Sequence, residues 1–173
     1  MKRLSTAIFA AFLIFGAVTA ASAQKKPIRK PTPKPPVTTV PPLEVRTARE
    51  HVETQQVNVS RFIDVLGPIA QGIEDIDAQG KTKPLPPKTV DANNANKKKV
   101  VEAIRNLKAG ISTLESEFRT KASLAKYLPT IQGVTDLMAK SEDSALAGKF
   151  VASKEPLRSV LQKLTDTLGV MPH

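Results

Sequence analysis

The sequence predicts an all-α protein: an antiparallel up-down-up-down four-helix bundle with unequal helices, preceded by a signal peptide and a Pro-rich disordered spacer. Three observations point there. Apolar residues recur in steps of three and four through most of residues 45–168. No stretch alternates apolar and polar residues as a half-buried strand does. Proline is concentrated, with seven of the 14 prolines between Pro27 and Pro42 and most others between the periodic segments. The expected organisation is a leader over 1–23, a linker over 24–42 and a helical domain over 43–173.

The leader carries a sorting address. Lys2 and Arg3 precede an apolar run from Ala7 to Ala20, and Ala21-Ser22-Ala23 offers small residues at both reading positions of a cleavage site. This is the pattern of a secretory signal peptide cut after Ala23. The run is short for a membrane span, which needs about 20 residues, so an uncleaved anchor is the weaker alternative. No later stretch is apolar enough to span. The expected location is periplasmic or secreted.

The linker holds Lys25, Lys26, Arg29, Lys30 and Lys34 and no acid. Such a composition builds no core and samples extended polyproline II. Seven of the 26 cationic residues precede residue 43, while all 16 acids follow it, so the helical domain has a net charge of only +3. The high isoelectric point therefore belongs mostly to the N-terminal part, and the domain as a whole is no general polyanion binder.

The first helix is expected over about 44–78. Val45, Ala48, Val52, Val59, Phe62, Leu66, Ile69, Ile73 and Ile76 keep one seam in phase through Gly67-Pro68. An interior proline removes one hydrogen bond and crowds the preceding turn, so a kink near Asp64–Pro68 is expected, with two helices as the alternative. Lys81 to Lys88 reads as a loop, because Pro84, Pro86 and Pro87 oppose a helix interior. The second helix is placed at about 91–120 on Val100, Ile104, Leu107, Ile111, Leu114 and Phe118. Its first two turns are polar all round and are expected to fray or to project into solvent; Asp91 can cap the helix, but Lys97, Lys98 and Lys99 oppose the dipole of a helix starting there. Glu115 with Arg119 and Glu117 with Lys121 are read as outer-flank pairs.

A third helix is expected from a Ser123 cap to Gly148, lined by Leu124, Tyr127, Leu128, Ile131, Val134, Leu137 and Met138. The fourth starts near Lys149 or Ser153 and ends at Gly169, leaving Met171 in a frayed tail. The first two helices outrun the fourth, so either part of their stripes lies uncovered as a partner groove or a homodimer seam, or the fourth helix starts early, at Lys149, and covers it.

Composition removes several chemistries. The absence of cysteine excludes a disulfide scaffold, Cys-ligated zinc or iron–sulfur, covalent haem, a thiol nucleophile and a lipidated N-terminal cysteine. His51 and His173 are too few for a di-iron carboxylate site. No Gly-x-Ser-x-Gly elbow or Gly-rich phosphate loop occurs. Haem held by His51 and Met171 at one bundle end is a third-rank alternative. The expectation is a non-catalytic chain with no cofactor and no metal. The acidic groups Glu74-Asp75 with Asp77, and Glu142-Asp143, are read as solvated surface.

The most distinctive local feature is Lys81, Lys83, Lys88, Lys97, Lys98 and Lys99, six lysines within 19 residues opposed only by Asp91. Lysine-dominated charge suits diffuse attraction to anions rather than bidentate recognition. Nucleic acid is not expected, because no aromatic stacking platform accompanies the charge. The leading expectation is a protein-interaction or structural module of the bacterial cell envelope. The alternative is an electrostatic binder of anionic envelope ligands (phospholipid headgroups, lipopolysaccharide or acidic polymer) through those lysines.

Overall fold

A computed structural model describes residues 40–173; the leader, its cleavage site and the linker up to residue 39 lie outside the described residues. These residues are all-helical, with no strand among them. Helix α1 spans Leu43–Thr82 and α2 Pro87–Thr120. A 3-10 turn, Ala122–Tyr127, leads into the single-turn α3, Leu128–Ile131. Helix α4 spans Val134–Leu146 and α5 Lys154–Val170. α1 packs against α2 and α5, and α4 packs against the same two helices. No described helix is long and apolar enough to cross a membrane.

α1 is one helix through Pro68 rather than two. Val45, Ala48, Val52, Val59, Leu66 and Ile73 of the expected seam are buried, joined by Ala70. Ile69 departs from the seam and is 40% exposed. α2 begins at Pro87, four residues before the expected start. Proline at the first helical position loses no hydrogen bond and arrives with the helical φ already set, so Pro87 starts the helix instead of extending the loop. Lys97–Lys99 then lie in the helix interior, and the expected conflict with the dipole disappears.

The expected third helix is broken. Its apolar residues Leu124, Tyr127 and Ile131 are buried as anticipated, but through a 3-10 turn and a single α turn. Gly133, at φ 86°, reverses the chain before α4. Ser123 caps nothing; its hydroxyl donates to Glu44 on α1. α4 closes with a Schellman motif: Lys149 N–H donates to Ser144 O at 2.9 Å and Gly148 N–H to Ala145 O at 3.0 Å. Gly148, at φ 76°, takes the left-handed position that this motif requires. Met171 is not frayed. It is buried, and Arg49 Nη1 donates to the carbonyls of Leu168 (2.8 Å) and Met171 (2.9 Å), closing the C-terminus of α5.

Candidate functional site: a lysine-rich projecting hairpin and its flanking groove

The turn between α4 and α5 sets where the body of the fold ends. Phe150 is buried in the core, Ser141 Oγ donates to Ser153 O (2.9 Å), and Val151 N–H donates to Glu74 Oε1 of α1 (2.8 Å). Residues 147–152 therefore lie beside Glu74–Lys81 of α1 and Lys97–Val101 of α2. α1 ends one residue past Lys81, at Thr82, and α2 continues past that level to Pro87. At 1.5 Å per residue, the segment from about residue 95 back to Pro87 projects roughly 12 Å. Between Ala78 and Lys99, Asn93 is the one buried residue.

A short polar seam joins the two helices at the base of this projection. Asp77 Oδ1 accepts from Lys97 Nζ at 2.6 Å and from Asn93 Nδ2 at 2.8 Å, and Asn93 Nδ2 also lies 3.4 Å from Ile73 O. Asn93 Oδ1 is buried with no hydrogen-bond partner. Of the six lysines singled out from sequence, Lys97 is thus half-buried in an ion pair. Lys81, Lys83, Lys88, Lys98 and Lys99 are exposed and form no ion pair among the described residues. Asp77, expected to be solvated surface, serves this seam, and Glu74 receives the Val151 amide.

Two depressions flank the base. One, of about 520 Å³, lies between α2 and the end of α4; Lys97, Lys98 and Arg105 rim it, and Val101, Leu146 and Phe150 supply apolar wall. The other, of about 550 Å³, is evenly polar and apolar, with Glu74, Asp77, Lys81 and Lys149 facing Ala78, Val151 and Ala152. Arg105 Nε bonds Glu142 Oε1 at 2.6 Å, and Lys108 Nζ bonds Glu142 Oε2 at 3.0 Å. The Arg105 and Lys108 hydrogen bonds hold the Glu142 carboxyl below its ordinary value. Glu142 therefore ties α4 to α2 rather than facing open solvent.

The opposite end of α2 differs from its outer-flank expectation. Both predicted pairs form, Glu115 with Arg119 and Glu117 with Lys121, each at 2.6 Å. Glu115, however, is 3% exposed, and its carboxylate accepts the backbone amides of Gly133 (2.9 Å) and Thr135 (3.0 Å) at the start of α4. Burial alone would push this carboxyl up. The hydrogen bonds from Arg119, Thr135 and Gly133 outweigh it and hold Glu115 at about 2. Glu117 is likewise opposed by burial but lowered overall by Lys121 and by His51, whose Nδ1 lies 3.0 Å from Glu117 Oε2. His51 is thus engaged with α2, while Met171 is packed at the end of α5. The described residues contain no cluster of three or more His, Asp or Glu side chains placed to hold a metal. The signal that would have exposed Glu115 is the Gly133-Val134-Thr135 start of α4, which lacks a capping side chain of its own.

Comparison with protein-family models, with curated proteins and with solved structures finds no match to this chain.

Proposed function

We propose that this chain is an exported, non-catalytic helical module that engages an anionic component of the bacterial envelope through its projecting α1–α2 hairpin. In this reading the leader is cleaved after Ala23 and the product is periplasmic or secreted. The linker from Gln24 spaces an antiparallel up-down-up-down four-helix bundle made of α1, α2, α4 and α5. The ring of pairings α1–α2, α2–α4, α4–α5 and α5–α1 supports that topology. The observation that carries the functional reading is five exposed lysines at this end of α1 and α2, Lys83 and Lys88 on the projection and Lys81, Lys98 and Lys99 at its base beside the α4–α5 turn, none with an ion-pair partner among the described residues. Near an anionic surface each such lysine contributes about 1 kcal/mol, within reach of a Debye length.

A protein-docking role, which the sequence favours, draws on a different observation. Val65 (59%) and Ile69 (40%) are exposed on α1, beside half-buried Phe62 and Ile76. That patch is small, and the projection adds to it little more than Val90 and half-buried Leu85. The surface left over by the unequal helices is thus more cationic than apolar.

The test is co-sedimentation of the full chain with phosphatidylglycerol-containing vesicles at low and high salt. The comparison protein carries Lys→Gln at 81, 83, 88, 98 and 99, so the leader contributes equally to both arms. Retention should fall at high salt and with the substitutions. Retention indifferent to both, or no retention at low salt, overturns the reading. Retention that is salt-resistant and sensitive to Val65→Asp would favour protein-like apolar docking instead.

A further inference from the structure

We infer that the groove between α2 and the end of α4 seats the apolar chain of a single-chain anionic amphiphile, with its charged end at Lys98. The inference rests on the reading of the adjoining hairpin as an anion-binding surface, and it narrows the ligand from any anion to one with a tail. Size comes first. A volume of about 520 Å³ lies within the range of small-molecule sites, roughly 300–1,000 Å³. Its ten lining residues fall well short of the roughly 20–30 a side of a stable protein interface.

The wall chemistry comes second. Phe150 is buried beneath the groove, Val101 is half-buried along it, and Leu146 stands 57% exposed at the last turn of α4. An inorganic anion makes no use of such a wall. A leucine held this exposed at a helix end loses water only when something apolar lies against it. Gly148 closes α4 in the left-handed region, and the space that a Cβ would take there is empty, so the chain leaves the groove open at that end.

Charge comes third. Lys97 and Arg105 are each committed to a carboxylate, Asp77 and Glu142. Lys98 is exposed and has no ion-pair partner among the described residues. Glu102 is the one acid among the lining residues and sits one turn further along α2. A negative head group is therefore favoured on the hairpin side of Lys98, where Lys97 and the projecting lysines add to the potential, and the tail runs from there along Val101 and Leu146.

The experiment titrates decyl phosphate, below its aggregation concentration, into the ¹⁵N-labelled full chain. The amide of Gly148 should shift saturably. Leu146→Gln and Lys98→Gln, both surface changes, should each weaken binding on the order of fivefold or more with unchanged circular dichroism. Inorganic phosphate should leave Gly148 unmoved, and decyl maltoside should bind more weakly than decyl phosphate. A silent Gly148, or affinity indifferent to both variants, overturns the inference. So does inorganic phosphate acting as well as decyl phosphate, which makes the site one for an ion alone, and so does equal binding of decyl maltoside, which removes the charge selectivity. Vesicle retention that persists while Gly148 stays silent removes the groove and leaves the hairpin reading standing. Saturable decyl phosphate binding without vesicle retention does the reverse.

Discussion

The two ends of α2 treat polar groups in opposite ways. Near its C-terminus, Glu115 is 3% exposed and both its carboxylate oxygens accept hydrogen bonds, from Arg119 and from two amides of the α3–α4 junction. Near its N-terminus, Asn93 is equally buried, yet its Oδ1 has no partner. The cations divide the same way. Arg49, Arg119, Lys121 and His51 of the first region are spent on carboxylates or helix carbonyls. At the other end, Lys81, Lys83, Lys88, Lys98 and Lys99 form no ion pair among the described residues. Charge that closes a scaffold has no capacity left for a ligand, whereas charge held out on a projecting hairpin keeps it. One helix thus anchors the fold at one end and presents a surface at the other.

The sharpest way to break the comparison is to place a carboxylate on each region's apolar side. Ile111→Asp buries a charge at a fully inaccessible position of the anchoring region. Its cost of several kcal/mol is comparable to the whole stability of a domain this size, so loss of the helical circular dichroism signal at 25 °C is expected. Val90→Asp, at a site 40% exposed in the projection, should leave the urea midpoint within about 0.5 kcal/mol of the parent. Equal effects would mean that the projection is as tightly packed as the body.

Glu115→Ala comes next. It strands two part-buried amides at the start of α4 and frees Arg119. With about 1–3 kcal/mol per unsatisfied buried group, a loss of about 3 kcal/mol in urea unfolding is expected. Glu115→Gln keeps an acceptor for one amide and should cost about half as much. The five-lysine variant used in the vesicle test should be nearly neutral in the same measurement.

The same carboxylate gives the fold an acid limit. Glu115 sits at about 2 in the folded chain against an ordinary 4.5. A depressed folded value means that the contribution is complete above about pH 4.5 and is lost as pH falls toward 2. The full span corresponds to about 3 kcal/mol. Glu117 and Glu142 are lowered too and act in the same direction. Thermal melts from pH 5 down to pH 2.5 should show a steep fall in Tm, and Glu115→Gln should flatten it. An unchanged slope in that variant would place the acid sensitivity elsewhere.

How much of this the sequence foretells depends on which physical signal each feature emits. The seams of α1 and α2 are long enough for period alone to place Val52, Leu66, Ile104 and Phe118 in the core. Period fails at residues 122–146 because a helix that stops and restarts in phase keeps the same apolar spacing. Gly133 is the residue that breaks it, and its φ of 86° leaves no trace in hydropathy. Glu115 misleads for a related reason. An i,i+4 pair with Arg119 looks like surface, and only the uncapped start of a helix elsewhere in the chain calls the carboxylate inward. The lysine group is legible as composition. That Lys97 is withdrawn into a pair with Asp77 follows from the register of two helices, which no single segment encodes. The groove beneath Leu146 is of the same kind, since its two walls come from α2 and from the end of α4, far apart in the chain.

The smallest predicted effect tests what the Asn93 seam is for. Asn93→Leu removes an orphaned acceptor, whose burial is costly, together with the hydrogen bond to Asp77, which keeps Lys97, and the long one to Ile73 O. These changes oppose each other, and the net change in stability should stay within about 1 kcal/mol. A buried polar residue that adds little stability can still select one alignment of two helices over its neighbours. With leucine in its place, α1 and α2 can slide by a turn without stranding a polar group. Amide exchange in Ala78–Ala92 should then quicken, while exchange in Ile104–Phe118 stays as it was. Faster exchange in both stretches would mean that the two ends of α2 open together, and the division between an anchoring end and a presenting end would fail.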